Sequence, residues 1–149
     1  MNHWSDKLAL IAITAWVGAL WAIGYLAAPV LFYTLQDKQM AGMLAGRMFS
    51  YVAYLGIVCG FYLLVQSLLR FGTPALKQGF FWAVVLMLLL IVAGHFGIQP
   101  ILAQLKAKAM PADVMQSVFA DRFNTWHGVA SIAYLVESLL GLVLVLRAR

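Results

Sequence analysis

Cysteine is all but missing from this chain. Cys59 is the only one, so no internal disulfide, CxxC redox pair or cysteine-based zinc site can form. Charge is almost as scarce: 10% of the 149 residues are charged and five are acidic, against about 25% charged in an ordinary soluble domain. There is no glycine-rich phosphate loop, no GxSxG elbow and no HExxH pair, which removes the common soluble-enzyme templates. Basic residues are not interleaved with aromatics along any stripe. The net charge of +5 therefore reads as loop lysines and arginines near lipid headgroups, and no nucleic acid is expected as a partner.

What fills the chain instead is hydrocarbon. Hydrophobic residues make up 64% of it and the mean hydropathy is +0.92, so its solvent is the lipid bilayer. Four apolar stretches, at about 8–35, 48–69, 79–105 and 127–146, are separated by three polar connections. Crossing the hydrocarbon takes about 20 residues at about 1.5 Å each, and a helix satisfies its own backbone polar groups. A membrane β-barrel would show weaker alternating segments of about 10 residues, and none occur. The reading is an all-α integral membrane four-helix bundle, one domain over residues 1–149. The first stretch is about twice as long as a signal core and holds Trp16 and Trp21, so it is expected to stay in the membrane.

Four spans put both ends on one side. Lys7, Arg70, Lys77, Arg147 and Arg149 fall on that side and Lys38, Arg47, Lys106, Lys108 and Arg122 on the other, a tie. Arg147 and Arg149 directly follow a span and Lys77 sits in a very short loop, which tips the expectation toward cytoplasmic termini in a bacterial inner membrane. In the last connection, Pro111 and Asp113 can start a helix. Met115, Val118, Phe119, Arg122, Phe123 and Trp126 then recur on one face, predicting a short interfacial helix over about 111–125 that feeds the last span.

Close helix contacts in lipid come from small residues. Gly56 and Gly60 form a GxxxG pair, Gly42 and Gly46 repeat that spacing, and Thr14, Gly18 and Ala22 make a similar ridge in the first span. Ordinary packing accounts for such spacings as well as a dimer face does. Pro29 and Pro100 are expected to kink or end spans one and three near the non-terminal face.

Glu137 is the first candidate for chemistry. It lies ten residues into span four, about 15 Å deep, where a carboxylate costs about 2.5–3.5 kcal/mol on insertion scales and should face the bundle, paired or protonated. Counting from the middle of span three places His95 about 4.5 Å from that depth, so a His95–Glu137 contact, direct or through water, is predicted. Gln99 lies one turn beyond His95, and His127, Ser131, Tyr134 and Ser138 form a stripe beside Glu137. Val129, Ile132, Val136 and Val143 read as the lipid face. A polar clamp that only orients helices explains the same residues.

Two cofactor readings stand beside this one. His95 and His127 could be axial ligands of a b-type haem, but their depths differ by about 10 Å, whereas both must approach one iron. Met40, Met43, Met48, Met110 and Met115 all fall on the side of His127, and soft thioethers suit Cu(I). Methionine is equally an adaptable filler at an interface.

Three runs carry a family resemblance: Gly24-Tyr25-Leu26-Ala27-Ala28-Pro29-Val30-Leu31-Phe32, Ala45-Gly46-Arg47-Met48-Phe49, and Phe123-Asn124-Thr125-Trp126-His127-Gly128-Val129-Ala130-Ser131. With these the chain resembles bacterial members of the transmembrane protein 205-like family, a domain of unknown function. The aromatic-His-Gly pattern of Phe123, Trp126, His127 and Gly128, with Ser131 a turn later, is its most specific part. Ala130 departs from it, standing where relatives often carry another small hydroxyl residue. The resemblance implies a four-helix membrane protein without an assigned reaction. It also implies distant similarity to bacterial copper-resistance membrane proteins and to the membrane protoporphyrinogen oxidase, hence a metal- or porphyrin-related role. The expectation is an auxiliary or transport-type component, homo-oligomeric or part of a larger membrane complex. The alternatives are a haem-binding oxidoreductase and a purely structural subunit.

Overall fold

Between residues 3 and 148, which the computed structural model describes, the backbone is helical apart from short connections, and no strand occurs among the described residues. Four helices are each long and apolar enough to cross a membrane: α1 (His3–Thr34), α2 (Lys38–Phe71), α3 (Gly79–Ala109) and α4 (Ala120–Arg147). The last three apolar stretches lie within helices that overshoot them, and the first runs one residue past Thr34, to the extended Leu35.

The reversals follow from local chemistry. Asp37 precedes α2 in an extended conformation, and its carboxylate accepts the orphan N–H groups of Gln39 and Met40 at 2.9 and 3.1 Å. Gly72 ends α2 at φ +62°, a left-handed conformation that costs glycine nothing, and donates its N–H to Leu68 O at 2.8 Å. A 3₁₀ turn at Thr73–Lys77 then leads into α3.

Each helix packs on its two sequence neighbours, and α4 closes back on α1, so the ring order is α1–α2–α3–α4. Its middle is filled by Trp16, Leu20, Leu63, Val84, Met87 and Leu144, all fully buried. Leu69, Leu89 and Ile132 are among the many large apolar side chains left on the outside, where acyl chains cover them. At the terminal end, Asp6 of α1 pairs with Arg70 of α2 at 2.6 Å, and the Tyr62 hydroxyl donates to Ser5 O at 3.2 Å.

Helices α1 and α3 share an irregularity. Each widens into a π-helical segment, Ile23–Ala27 in α1 and Ala93–Ile98 in α3, ending two residues before Pro29 and Pro100 respectively. A proline removes one N–H from the ladder and its ring crowds the carbonyl four residues back, here Tyr25 and Phe96. A wider turn relieves both problems. The two segments stand at one level. Val17 and Met87 both border Gly141, and the widened turns begin six residues beyond each.

The segment ahead of the last span differs from the interfacial helix predicted over 111–125. After a cis Met110–Pro111 peptide, Asp113 caps a single 3₁₀ turn at Val114–Gln116 by accepting the Met115 N–H at 3.1 Å, and α4 begins at Ala120. Of the predicted face only Phe119, Phe123 and Trp126 pack inward, the last two within the first turns of α4, while Met115, Val118 and Arg122 are exposed. Phe123 and Trp126 pack on Leu105, Ala109 and Val114, and no proline follows Pro111 to separate that turn from the rest of α4.

Candidate functional site

The inward face of α4 carries Glu137, Ser138, Gly141 and Leu144, all buried, with Tyr134 half-buried above them. Gly141 lets α1 and α3 approach, since a Cβ there would meet Val17 at 3.2 Å and Met87 at 3.8 Å. Around Ser138 the polar groups are knitted to α1. The Tyr25 hydroxyl donates to Ser138 Oγ at 2.8 Å, Ser138 Oγ donates to Tyr134 O at 2.8 Å, and Trp21 Nε1 donates to Ser138 O at 3.2 Å. The Tyr134 hydroxyl donates to Leu20 O, while its ring meets Tyr25 and Phe49 edge-on at 6.0 and 5.2 Å.

Glu137, the only glutamate of the chain, lies between Tyr134 and Ser138 on α4 and is 6% exposed. Among the described residues no ion pair reaches it. Trp16 is fully buried in the same bundle, and its Nε1–H has no hydrogen-bond partner among the described residues.

His95 goes elsewhere. No hydrogen bond or ion pair joins it to Glu137 among the described residues. Its ring lies edge-on to Tyr54 of α2 at 5.0 Å and to Phe96 at 4.8 Å. His95 lies inside the π-helical turn, and counting depth along the span gives a level but not a direction around the helix. Gln99 accompanies it. Both line a hollow of about 370 Å³ between α2 and α3, together with Ser50, Arg47, Lys106 and the backbone of Gly42 and Gly46.

The residues of the aromatic-His-Gly pattern lie at the other end of α4. His127 is exposed and stacks flat on Phe123, with ring centroids 5.8 Å apart and an interplanar angle of 9°. Ser131 Oγ donates to His127 O at 2.9 Å, so this serine serves its own helix. Gly128 has open space around it. Met40, Met43, Met110 and Met115 are exposed and Met48 is half-buried; Met43 also borders the hollow. Among the described residues no three His, Cys, Asp or Glu side chains come together as a metal-binding group.

Gly56 and Gly60 face α3 closely: a Cβ at Gly56 would stand 2.6 Å from Ile91 Cδ1 and from Trp16 Nε1, and one at Gly60 2.6 Å from Leu88 Cδ2. Gly18 has nothing within 4 Å and, like Thr14 and Ala22, is exposed on α1.

Sequence reasoning missed Trp21 and Tyr25 as partners of α4, and Tyr54 as partner of His95. A signal existed. Val52-Ala53-Tyr54-Leu55 in α2 is echoed by Ile132-Ala133-Tyr134-Leu135 in α4. Tyr54 meets a ring in the π segment of α3, and Tyr134 meets a ring in the π segment of α1. Tyr25 lies four residues before Pro29 and His95 five before Pro100, the π segments holding five and six residues respectively. The α1–α2 and α3–α4 hairpins are thus built on one plan.

The family model described as Domain of unknown function (DUF4149) matches residues 11–111. That stretch takes in most of α1 and all of α2 and α3, and stops before α4. No curated protein and no solved structure matches.

Proposed function

From a chain that belongs to the family described as a domain of unknown function, DUF4149, we infer an auxiliary or transport-type component of the bacterial inner membrane whose working group is Glu137. One observation carries this reading: the only glutamate is turned into the interior of a bundle of apolar helices, 6% exposed, with no counter-charge paired to it among the described residues. Ionisable groups kept at such depth are costly and mark proton or ion pathways. Tyr134 and Ser138 hold α4 against α1 and so fix where the carboxyl stands. Trp16, Leu20 and Met87 fill the middle of the ring, so a path to Glu137 runs between copies of the chain or between it and a partner subunit. The resemblance to the transmembrane protein 205-like family supports a metal- or porphyrin-related cargo, and the distribution of lysine and arginine supports cytoplasmic termini.

The test is flux. Purified protein in proteoliposomes loaded with a pH-sensitive dye is challenged with a proton gradient, with and without external Cu(I). Glu137→Gln is expected to abolish dye response at unchanged protein abundance, and an unaltered response overturns the assignment. A structural subunit is favoured by the hydrogen-bond knot between Ser138, Tyr25, Trp21 and Tyr134. On that second reading Glu137→Gln leaves stable copurification with a larger membrane complex intact and flux is absent from the start. Absorption spectra of the same preparation address haem, since a Soret band that His95→Ala removes would replace both readings.

A further inference from the structure

The hollow between α2 and α3 is the counterpart, in the second half of the ring, of a place that is filled in the first. Where α4 meets α1, the Tyr134 ring covers Gly24 and its hydroxyl closes on Leu20 O, leaving no space. Where α2 meets α3, Tyr54 stays 52% exposed and only touches the edge of His95. Beyond His95 an open hollow of about 370 Å³ begins.

Its walls have one sign of charge. Arg47 and Lys106 line it, no acidic residue does, and neither cation is in an ion pair among the described residues. Asp113 of the neighbouring connection, which caps the Met115 N–H, acts on the Lys106 charge from a distance without pairing with it, and Lys106 Nζ also lies 5.6 Å from the centre of the Phe123 ring. Gly42 leaves the way clear for Lys106, whose Nζ lies 3.5 Å from where a Cβ of Gly42 would be. Gln99, Ser50 and His95 add hydrogen-bonding groups along it, Ser50 as an acceptor since its hydroxyl donates to Gly46 O at 3.0 Å. Outside, Tyr51, Tyr54 and Phe96 form an exposed aromatic flank on the same two helices. Along α3, Lys106 stands eleven residues beyond His95, about 16 Å, which spans the distance from the headgroup level into the hydrocarbon.

We propose that this hollow is a binding site for the phosphate headgroup of an anionic phospholipid, with Arg47 and Lys106 clasping the phosphate and the acyl chains lying against Tyr51, Tyr54 and Phe96. Arginine offers a planar fork to phosphate oxygens and lysine a point charge, and basic hollows between membrane helices recognise anionic headgroups in this way. The open apolar flank selects an amphiphile over a free anion, because a free phosphate gains nothing from it.

The experiment is native mass spectrometry of the full chain released from micelles doped with equal amounts of phosphatidylglycerol and phosphatidylcholine, with inorganic phosphate as competitor. Wild-type protein is expected to retain phosphatidylglycerol at least tenfold over phosphatidylcholine. Arg47→Gln with Lys106→Gln should remove that preference, and Gly46→Leu, which fills the hollow without touching its charge, should remove it as well. Arg122→Gln, an exposed cation outside the hollow, should leave it unchanged. Equal retention by the double variant overturns the site, as does an equal loss from Arg122→Gln, which would show general attraction to a basic rim. Displacement of the lipid by millimolar inorganic phosphate overturns the amphiphile assignment in favour of a free anion. Because the readout is lipid retention, its failure leaves the Glu137 flux result standing, and the reverse holds too.

Discussion

Tyr134 lies over Gly24 so closely that any β-carbon at that position would overlap its ring. The contact ties α4 to α1 just where α1 widens, and the Tyr134 hydroxyl finishes it on Leu20 O. Gly24→Ala is therefore expected to cost about 1–3 kcal/mol by overpacking. Tyr134→Phe, which loses only an interhelical hydrogen bond, is expected to cost about 0.6 kcal/mol. Detergent-driven unfolding in mixed micelles measures both, and the opposite order would refute the packing described here.

Two glycines of α2 should respond in opposite directions. Gly56 has Ile91 and Trp16 against it, whereas Gly46 borders open space. Gly56→Ala should destabilise by about 1–3 kcal/mol. Gly46→Ala should stabilise by about 0.5–1 kcal/mol, because alanine loses less backbone entropy in a helix interior. The same unfolding assay compares them, and equal losses would place both glycines in tight contacts.

Trp16 and Trp21 make a second contrasting pair. The indole N–H of Trp16 has no partner among the described residues, while that of Trp21 donates to Ser138 O at 3.2 Å. Replacing Trp16 by phenylalanine sacrifices no hydrogen bond, so its cost is that of vacated volume alone and should stay below the roughly 3 kcal/mol at which full Trp→Ala truncations begin. Its fluorescence should also be the more blue-shifted of the two. A red-shifted Trp16 signal would mean water reaches the bundle centre.

How much of this could be read beforehand depends on the kind of interaction. The four spans were legible because hydropathy over about 20 residues averages out local detail. The inward turn of Glu137 was legible from the cost of facing lipid. The neighbour of His95 was not. Pro100 announced an irregularity, but counting residues along a span gives a depth and not a direction around the helix, so it could not choose between Glu137 and Tyr54 as the neighbour of His95. The segment after Pro111 failed for a related reason: the periodicity of Phe123 and Trp126 gives a face and not a boundary, so it could not tell a separate helix from the first turns of α4.

The caps supply a fourth prediction, free of the bundle interior. Asp37→Ala removes the acceptor for the N–H groups of Gln39 and Met40 and should cost about 1 kcal/mol. Asp6→Asn, which breaks the partly exposed pair with Arg70, should cost less than about 1 kcal/mol and be masked by salt. Titrating stability against sodium chloride separates the two, and a salt-sensitive Asp37→Ala would argue for charge over capping.

The paired prolines give the molecule a mechanical seam. With the backbone ladder widened at matching heights on the diagonal helices α1 and α3, the non-terminal end of the bundle carries the irregular turns, while the pair of Asp6 and Arg70 fastens the terminal end.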